Sequence, residues 1–309
     1  MASKNIVSGT QLVLLSDQQK VEILRPELNI EKYSNFLFPH PKTKWLDDVR
    51  IMQWTKRLED GTEYDGEIKV EPSKTLGCCT VRTRSVYLWI TEIFYQQGMP
   101  DWAFTTSIHA ITKAMWVPVN GKWYEIIDEE LNKMYKTTIT WTLSFDIGEV
   151  HPKSVNNQQI LSVYDYVSMS QRIDQTTKFE KLCRIDFDPE IKENLKKQRT
   201  APLNLTTRKS ITSSIQKVLY DMVDIFLTGQ GHRGIFERRA LWLIEDLNIS
   251  PARYEYISRR KTLLMGFKEG LDGKLLSNLK KLKVSVLLTA DWEDWKCRFQ
   301  AINTENVKP

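Results

Sequence analysis

The clearest periodicity runs through residues 77–146. Val86, Ile90, Ile93 and Phe94 recur at helical spacing and give out at Gly98-Met99-Pro100, so the spacing predicts a helix that ends there. Ala103-Phe104 reads as a short strand, after which Thr105 or Thr106 caps a helix bearing Ile108, Ile111 and Met115. That helix must stop before Pro118, because the residue ahead of a proline is pushed out of the helical region. Asn120-Gly121 is a turn dipeptide, and residues 122–135 then place Tyr124, Ile127, Leu131 and Met134 on one helical face. From Thr138 to Phe145 polar and apolar residues alternate without a break, the period of a half-buried strand. Helix, strand, helix, turn, helix, strand is the order of a winged helix-turn-helix, a module that lays its last helix in a DNA groove. An ordinary α+β domain with no nucleic acid would fit the same periods.

The second half repeats the order without visible sequence identity. Ser210 is read as the cap of a helix with Ile211, Ile215, Val218, Leu219, Met222, Val223 and Phe226 on one face, ended by Gly229. Residues 237–247 form the next predicted helix, with Leu241, Ile244 and Leu247 inward, and Asn248-Ile249-Ser250 is a turn. Pro251 suits the first position of a long helix, where a missing N–H costs nothing. Residues 281–289 alternate enough for a wing strand, and Trp292, Trp295 and Phe299 pack a last element back onto the domain. The expected fold is α+β, two tandem winged helix-turn-helix domains with small antiparallel wing sheets. The boundaries are 1–198 and 199–309, with Arg199-Thr200-Ala201-Pro202 as linker.

Outside the two modules the pattern is thinner. Leu12 to Leu15 and Val21 to Pro26 read as a strand or short helix leading into the first domain. Asp60-Gly61 and Asp65-Gly66 are turn signals, so residues 45–70 read as a hairpin with Trp45, Ile51 and Trp54 as core candidates. After Phe145, residues 148–159 are polar and predict a loop at the wing tip, joining the alternating strand to a partner at 160–167. Residues 168–175 predict a second polar loop, 179–187 a strand and 189–197 a short helix.

Composition changes this picture little. The chain of 309 residues is 41% hydrophobic and 10% aromatic, a globular balance, with a net charge of +5 that suits an anionic partner without requiring one. Cys78, Cys79, Cys183 and Cys297 include no Cys-x-x-Cys pair, and we read them as reduced thiols in a cytoplasmic protein. Lys4, Asn5, Ser8 and Gln11 break up the amino terminus, and no apolar run approaches ~18 residues, so neither a signal peptide nor a membrane span is expected.

A resemblance then enters on particular residues. Gly77-Cys78-Cys79-Thr80-Val81 fits a Gly-x-x-Thr-Val start, and Gly121-Lys122-Trp123-Tyr124-Glu125-Ile126-Ile127 a Gly-x-x-Tyr-Glu-x-Ile helix start. They continue into Leu131-Asn132-Lys133, Lys136-Thr137-Thr138-Ile139 and, downstream, Leu219-Tyr220. Over roughly residues 70–290 this resembles the plasmid and phage replication initiators of the replication initiator protein A type. The resemblance implies binding to origin repeats through both winged domains, opening of adjacent A·T-rich DNA and recruitment of host replication proteins. It also implies a homodimer and autorepression, as in many such initiators.

Charge assigns the DNA contacts. The first recognition helix offers Lys122 and Trp123 at its start, then Glu125, Asp128, Glu129 and Glu130, which repel phosphates unless they face away. The second carries Arg253, Tyr256, Arg259, Arg260 and Lys261 with acid only at Glu255 before Glu269. As helix positions, Arg253, Tyr256 and Arg260 share a face that also takes Ile257 and Leu264, a conflict that eases if the early turns reach DNA and the later ones pack inward. Lys196, Lys197, Arg199, Arg208 and Lys209 around the linker, and Lys281 and Lys283 in the second wing, are assigned to phosphates, with Arg233, Arg238 and Arg239 nearby. Each basic cluster also fits a merely solvated face.

Catalytic signatures are sparse. Gly273-Lys274 lacks the upstream glycine of a phosphate loop and is followed by Leu275. His40, His109, His151 and His232 are too far apart in sequence for a paired-histidine metal site. The expectation is a non-enzymatic protein without cofactor or metal. The competing readings are a winged-helix transcriptional regulator, a metal-dependent nuclease or strand transferase using acids such as Asp186 and Asp188, and a protein-interaction scaffold.

Overall fold

A computed structural model describes residues 11–16, 19–39, 41, 48–57, 63–115, 117–148, 152–173, 176–228, 234–247, 249, 251–290 and 293–303. Trp45, Trp292, Gly229, Arg233, Asn248, Ser250, His40, His151, His232 and the Asp60-Gly61 turn lie outside the described residues. In chain order the elements are β1 (Gln11–Ser16), β2 (Gln19–Leu24), α1 (Leu28–Lys32), α2 (Ser34–Leu37), β3 (Arg50–Arg57), β4 (Glu63–Glu71), α3 (Val81–Gln96), β5 (Phe104–Ser107), α4 (Ile108–Ala114), α5 (Gly121–Lys136), β6 (Thr138–Phe145), β7 (Lys153–Gln158), β8 (Leu161–Ile173), β9 (Thr176–Phe187) and α6 (Pro189–Lys196). They continue as β10 (Leu203–Asn204), α7 (Leu205–Ser210), α8 (Ser214–Thr228), β11 (Ile235–Arg239), α9 (Ala240–Asp246), a 3-10 turn at Pro251–Arg253, α10 (Ile257–Leu271), β12 (Lys281–Leu288) and β13 (Trp295–Ile302).

The chain divides into two compact units. Among the described residues, 27–29 and 48–199 form the first, and 11–26, 30–41 and 200–303 the second. A single cut near Arg199 would assign residues 11–26 to the amino-terminal domain. They cluster with the carboxy-terminal half instead, because Leu24 and Ile23 of β2 pair with Leu203 and Asn204 of β10 in the sheet β1-β2-β10.

In the first unit the hydrophobic periods become the core. Val86, Tyr87, Ile90 and Phe94 of α3 are buried, and Phe94 meets Phe187 edge-on at 5.3 Å and Phe104 at 5.7 Å. Such pairs add about 0.5–1.5 kcal/mol beyond their burial. Thr80 and Thr83 form a reciprocal capping box at the start of α3, Ser107 rather than Thr105 or Thr106 caps α4, and Asn120 caps α5 by accepting from Trp123 N at 3.0 Å. Alternation in β6 buries Ile139 and Trp141, then breaks: Leu143 is exposed, and Ser144 and Phe145 are both buried. The buried indole N–H of Trp141 donates to Gln158 at 2.7 Å, Gln158 donates to Asp188 at 2.9 Å, and Asp188 caps α6. A buried carboxylate, Glu27, accepts from Asn29 and Asn194, both at 2.8 Å, which keeps it solvated by amides rather than water.

Several expectations here are corrected. The neighbours of β6 are β4 and β7, the latter within the stretch read as a loop, while residues 160–167 fall largely in β8, which pairs with β9. Residues 168–173 continue β8 and do not form a loop. Asp65-Gly66 lies inside β4, where Gly66 faces Trp54: a Cβ there would fall 2.6 Å from Trp54 Cε2, so the glycine makes room for an indole and not for a turn. Ile51 is exposed.

The second unit packs α8 and α10 with the sheet β11-β13-β12. Leu219, Tyr220 and Val223 of α8, and Leu264, Phe267 and Leu271 of α10, are buried with Leu282, Val284 and Phe299 of the sheet. Ser210 ends α7 and does not cap the long helix, which starts at Ser214. Residues 235–239 form β11, so the helix expected over 237–247 is only Ala240–Asp246. Pro251 opens a 3-10 turn rather than α10, which begins at Ile257.

Asp224 is buried beneath this unit. It accepts from Ser277 N at 2.9 Å and Ser277 Oγ at 2.8 Å, tying α8 to the turn that leads into β12. Burial outweighs these donors and lifts its carboxyl from 3.8 to about 7. The folded chain therefore keeps a proton there that the unfolded chain has lost, so stability from this group falls as pH rises from about 4 to about 7. Thermal melts across that window should show wild type losing ground to D224N as pH rises; a constant difference would mean that Asp224 ionises normally.

Candidate nucleic-acid interface

The apolar stripe of α10 sits in its later turns, and this decides what its beginning can do. Leu264, Phe267 and Leu271 are buried at i, i+3 and i+7, whereas Ile257 is 40% exposed and Ser258, Arg259, Lys261 and Thr262 are open to solvent. Ahead of them, Arg253 is exposed on the 3-10 turn and Tyr256, the residue before the helix, is 66% exposed. The Arg259 guanidinium lies 5.5 Å from the centre of the Tyr256 ring, and Lys261 Nζ lies 4.7 Å over Trp295. Such contacts orient the cations without neutralising them. Neither Arg253, Arg259 nor Lys261 forms an ion pair with a described acid. Beside this edge a groove of about 430 Å³ runs between α8 and α10, lined by Arg253, Tyr254, Arg259, Thr262, Gln216 and Phe267.

Arg260 behaves differently. Its guanidinium turns inward, donating to the carbonyls of Tyr254 at 2.8 Å and Glu255 at 3.0 Å and pairing with Asp294 at 3.4 Å. The helical face expected to unite Arg253, Tyr256 and Arg260 does not exist, since the first two precede the helix. Tyr254 and Tyr256 likewise lie outside it.

The other basic residues sort by their partners. Lys196 pairs with Asp101, and Lys197 with Glu193 one turn away. These lysines hold Asp101 and Glu193 below their ordinary carboxyl range. Exposed pairs of this kind are weak, so a competing anion can displace them. Arg199 is half-buried against the backbone of Gly148, where a Cβ would fall 2.5 Å from its Cζ. Arg208 is committed in this structure: its Nε donates at 2.9 Å to Asp221, which is fully buried. Lys209 and Lys283 are exposed and Lys281 half-buried. Arg238 pairs with Asp246 at 3.4 Å, and Arg239 lies 5.8 Å from the centre of the half-exposed Trp242.

On α5, Lys122 is exposed and Trp123 half-buried at the start. Two of the four acids are removed from the surface balance: Glu130 is buried and accepts from Thr83 and Lys133, and Glu129 pairs with Lys133 at 2.7 Å. His109 is half-buried, its Nδ1 2.7 Å from the Tyr124 hydroxyl. Two features were not singled out in sequence: Trp102, 69% exposed beside Asp101, and Asp294, whose partners lie on other elements. Neither carries a local pattern that marks it. All four cysteines are buried and outside any disulfide, and burial pushes Cys79 and Cys297 up to about 12. Among the described residues no group of three His, Cys, Asp or Glu is placed to hold a metal, and no helix is long and apolar enough to cross a membrane.

These features define an α+β protein of two compact units with small antiparallel sheets. Its fold is similar to a solved crystal structure of domains 2 and 3 of RctB, with a TM-score of 0.51 and 14% identity, covering 89% of this chain and 98% of that one. A second structure of RctB domains 2–3 aligns at a TM-score of 0.48 and 12% identity over 88% of this chain and 96% of that one. No family model and no curated protein sequence matches the chain.

The two classes of arginine make a direct contrast. Removing Arg208 takes the guanidinium from the buried Asp221 and should lower stability by about 3–5 kcal/mol in a denaturant titration. Arg253→Ala or Arg259→Ala, at exposed cations with no described acid as ion-pair partner, should leave the melting curve in place, within about 0.5 kcal/mol. A stable R208A protein, or an unstable R259A one, would reverse the assignment.

Proposed function

We propose that this chain is a non-catalytic, sequence-specific double-stranded DNA-binding protein that initiates replication at a plasmid or phage origin. In this reading each unit is a winged helix-turn-helix. The first uses α3, α4 and α5 with β6 and β7 as its wing; the second uses α8, α9 and α10 with β12 and β13. One observation carries the reading: α10 is anchored by its later turns and leaves Arg253, Tyr256, Arg259 and Lys261 clear of the core at its head. Arginine at a helix head suits bidentate pairing with guanine in the major groove. The initiator assignment is supported by the resemblance of residues 77–139 and 219–220. The likeness to RctB domains 2 and 3 supports the fold.

The second unit supplies most of the affinity, because its recognition helix offers unpaired cations where α5 offers Lys122 beside Glu125 and Asp128. Lys196, Lys197, Lys209, Lys281 and Lys283 contribute phosphate contacts. Host replication proteins, a homodimer, repression of its own promoter and a cytoplasmic location belong to the same proposal.

The test is a footprint of the purified chain on DNA flanking its own gene. Protection of several direct repeats beside an A·T-rich tract, with local strand opening, is the expected result; a single palindrome would point to a transcriptional regulator. With about six phosphates engaged, log affinity should fall with log salt at a slope near about −5. Nicked or relaxed product from supercoiled origin plasmid with Mg²⁺ or Mn²⁺ would overturn the non-catalytic part.

A further inference from the structure

The segment at the head of α10 is short, polar and outside any regular ladder, so something other than apolar packing must hold it. The acid that does so is far away in sequence. Asp294, just before β13, is 2% exposed, and both of its carboxylate oxygens are used. Oδ2 accepts from Leu241 N at 3.3 Å, in the first turn of α9. The residue at the cap position of α9, Arg239, makes no side-chain cap, so Asp294 fills that role from another element. Oδ1 accepts from Arg260 at 3.4 Å, and the same guanidinium donates to the carbonyls of Tyr254 and Glu255. The Asp294 backbone closes the turn between β12 and β13: its carbonyl accepts from Thr289 N at 2.9 Å and Thr289 Oγ1 at 2.8 Å, and its N–H donates to Thr289 Oγ1 at 3.0 Å.

One buried residue thus joins three parts: the start of α9, the Tyr254–Glu255 backbone through Arg260, and the base of the β12–β13 hairpin. We propose that Asp294, acting through Arg260, is the positioning residue that sets the second unit's specificity. It fixes Arg253, Tyr256 and Arg259 relative to α9 and the β12–β13 hairpin without touching DNA itself. This inference rests on the DNA-binding reading above. Its chemistry is specific. A carboxylate can accept from a backbone N–H and a guanidinium together, and Arg260 reaches one acid and two carbonyls because its donors are fixed in a planar fork. Lysine has no such fork, and asparagine presents an N–H₂ to one of the two donors.

The experiment uses the full chain as wild type, D294N, D294A and R260K, each assayed on the duplex found by footprinting and on an unrelated duplex of equal length. Trypsin cleavage after Arg253 reports the order of the segment independently of DNA. For D294N and R260K the expected result is a loss of specific affinity of about tenfold or more, binding to unrelated DNA within about twofold, and faster cleavage at Arg253 under conditions where the rest of the second unit resists. D294A should show the same pattern more strongly. Specific binding and cleavage at wild-type rates in both D294N and R260K would overturn the proposal. So would equal losses on both duplexes, which would reduce Asp294 to a general stability role. If wild type itself does not distinguish the duplexes, the DNA-binding reading fails, while cleavage at Arg253 still decides whether Asp294 orders the segment.

Discussion

The exposed edge of the second unit depends on where the apolar stripe of α10 begins. Leu264, Phe267 and Leu271 anchor the helix, and burying three large side chains contributes several kcal/mol, on the order of 1.5–3 each. No comparable anchor exists ahead of Leu264, where Ile257 stays partly in water. The helix is therefore held like a peg by one end, and its other end carries Arg259 and Lys261, which lie against aromatic rings, while Arg260 turns inward to Asp294. A helix buried along its full length would leave no edge for a groove; one with no buried stripe would not hold its angle.

That arrangement moves the burden of order onto polar groups. In each unit a few buried acids act as joints between elements. Glu27 gathers the amides of Asn29 and Asn194, Glu130 binds Thr83 of α3 to α5, and Asp224 receives Ser277 ahead of β12. A buried carboxylate that lost its donors would carry a desolvation cost of several kcal/mol, so each joint tolerates only the arrangement that satisfies it. Directional bonds give a geometry that contact between hydrocarbon surfaces alone does not.

The parts legible in the sequence are those written in local periods. The helical repeat from Val86 to Phe94, the Asn120 cap and the alternation from Thr138 to Phe145 each state their own conformation within a few residues. What stayed hidden was set by residues far away. Residues 153–158, Lys-Ser-Val-Asn-Asn-Gln, have no apolar alternation and become a strand because β6 offers them an edge. Ile235 to Arg239 run straight into a helical stretch and are drawn into β11 by β13. Gly66 carries a turn signal but answers to Trp54 across the ladder. At the candidate interface the charged run 253–261 was visible as composition, but not that Pro251 opens a 3-10 turn or that Arg260 alone turns inward. That sorting follows from Asp294, some thirty positions later, which no window on the helix contains.

The most direct test of the proposed DNA-binding role is amide hydrogen exchange of the whole chain, alone and mixed with the duplex protected in footprinting. Residues 253–262 and 281–288 should slow on binding while 264–271, already protected by the core, change little. Unchanged exchange across 253–262, with protection confined to surfaces elsewhere such as the β3–β4 hairpin, would contradict that role.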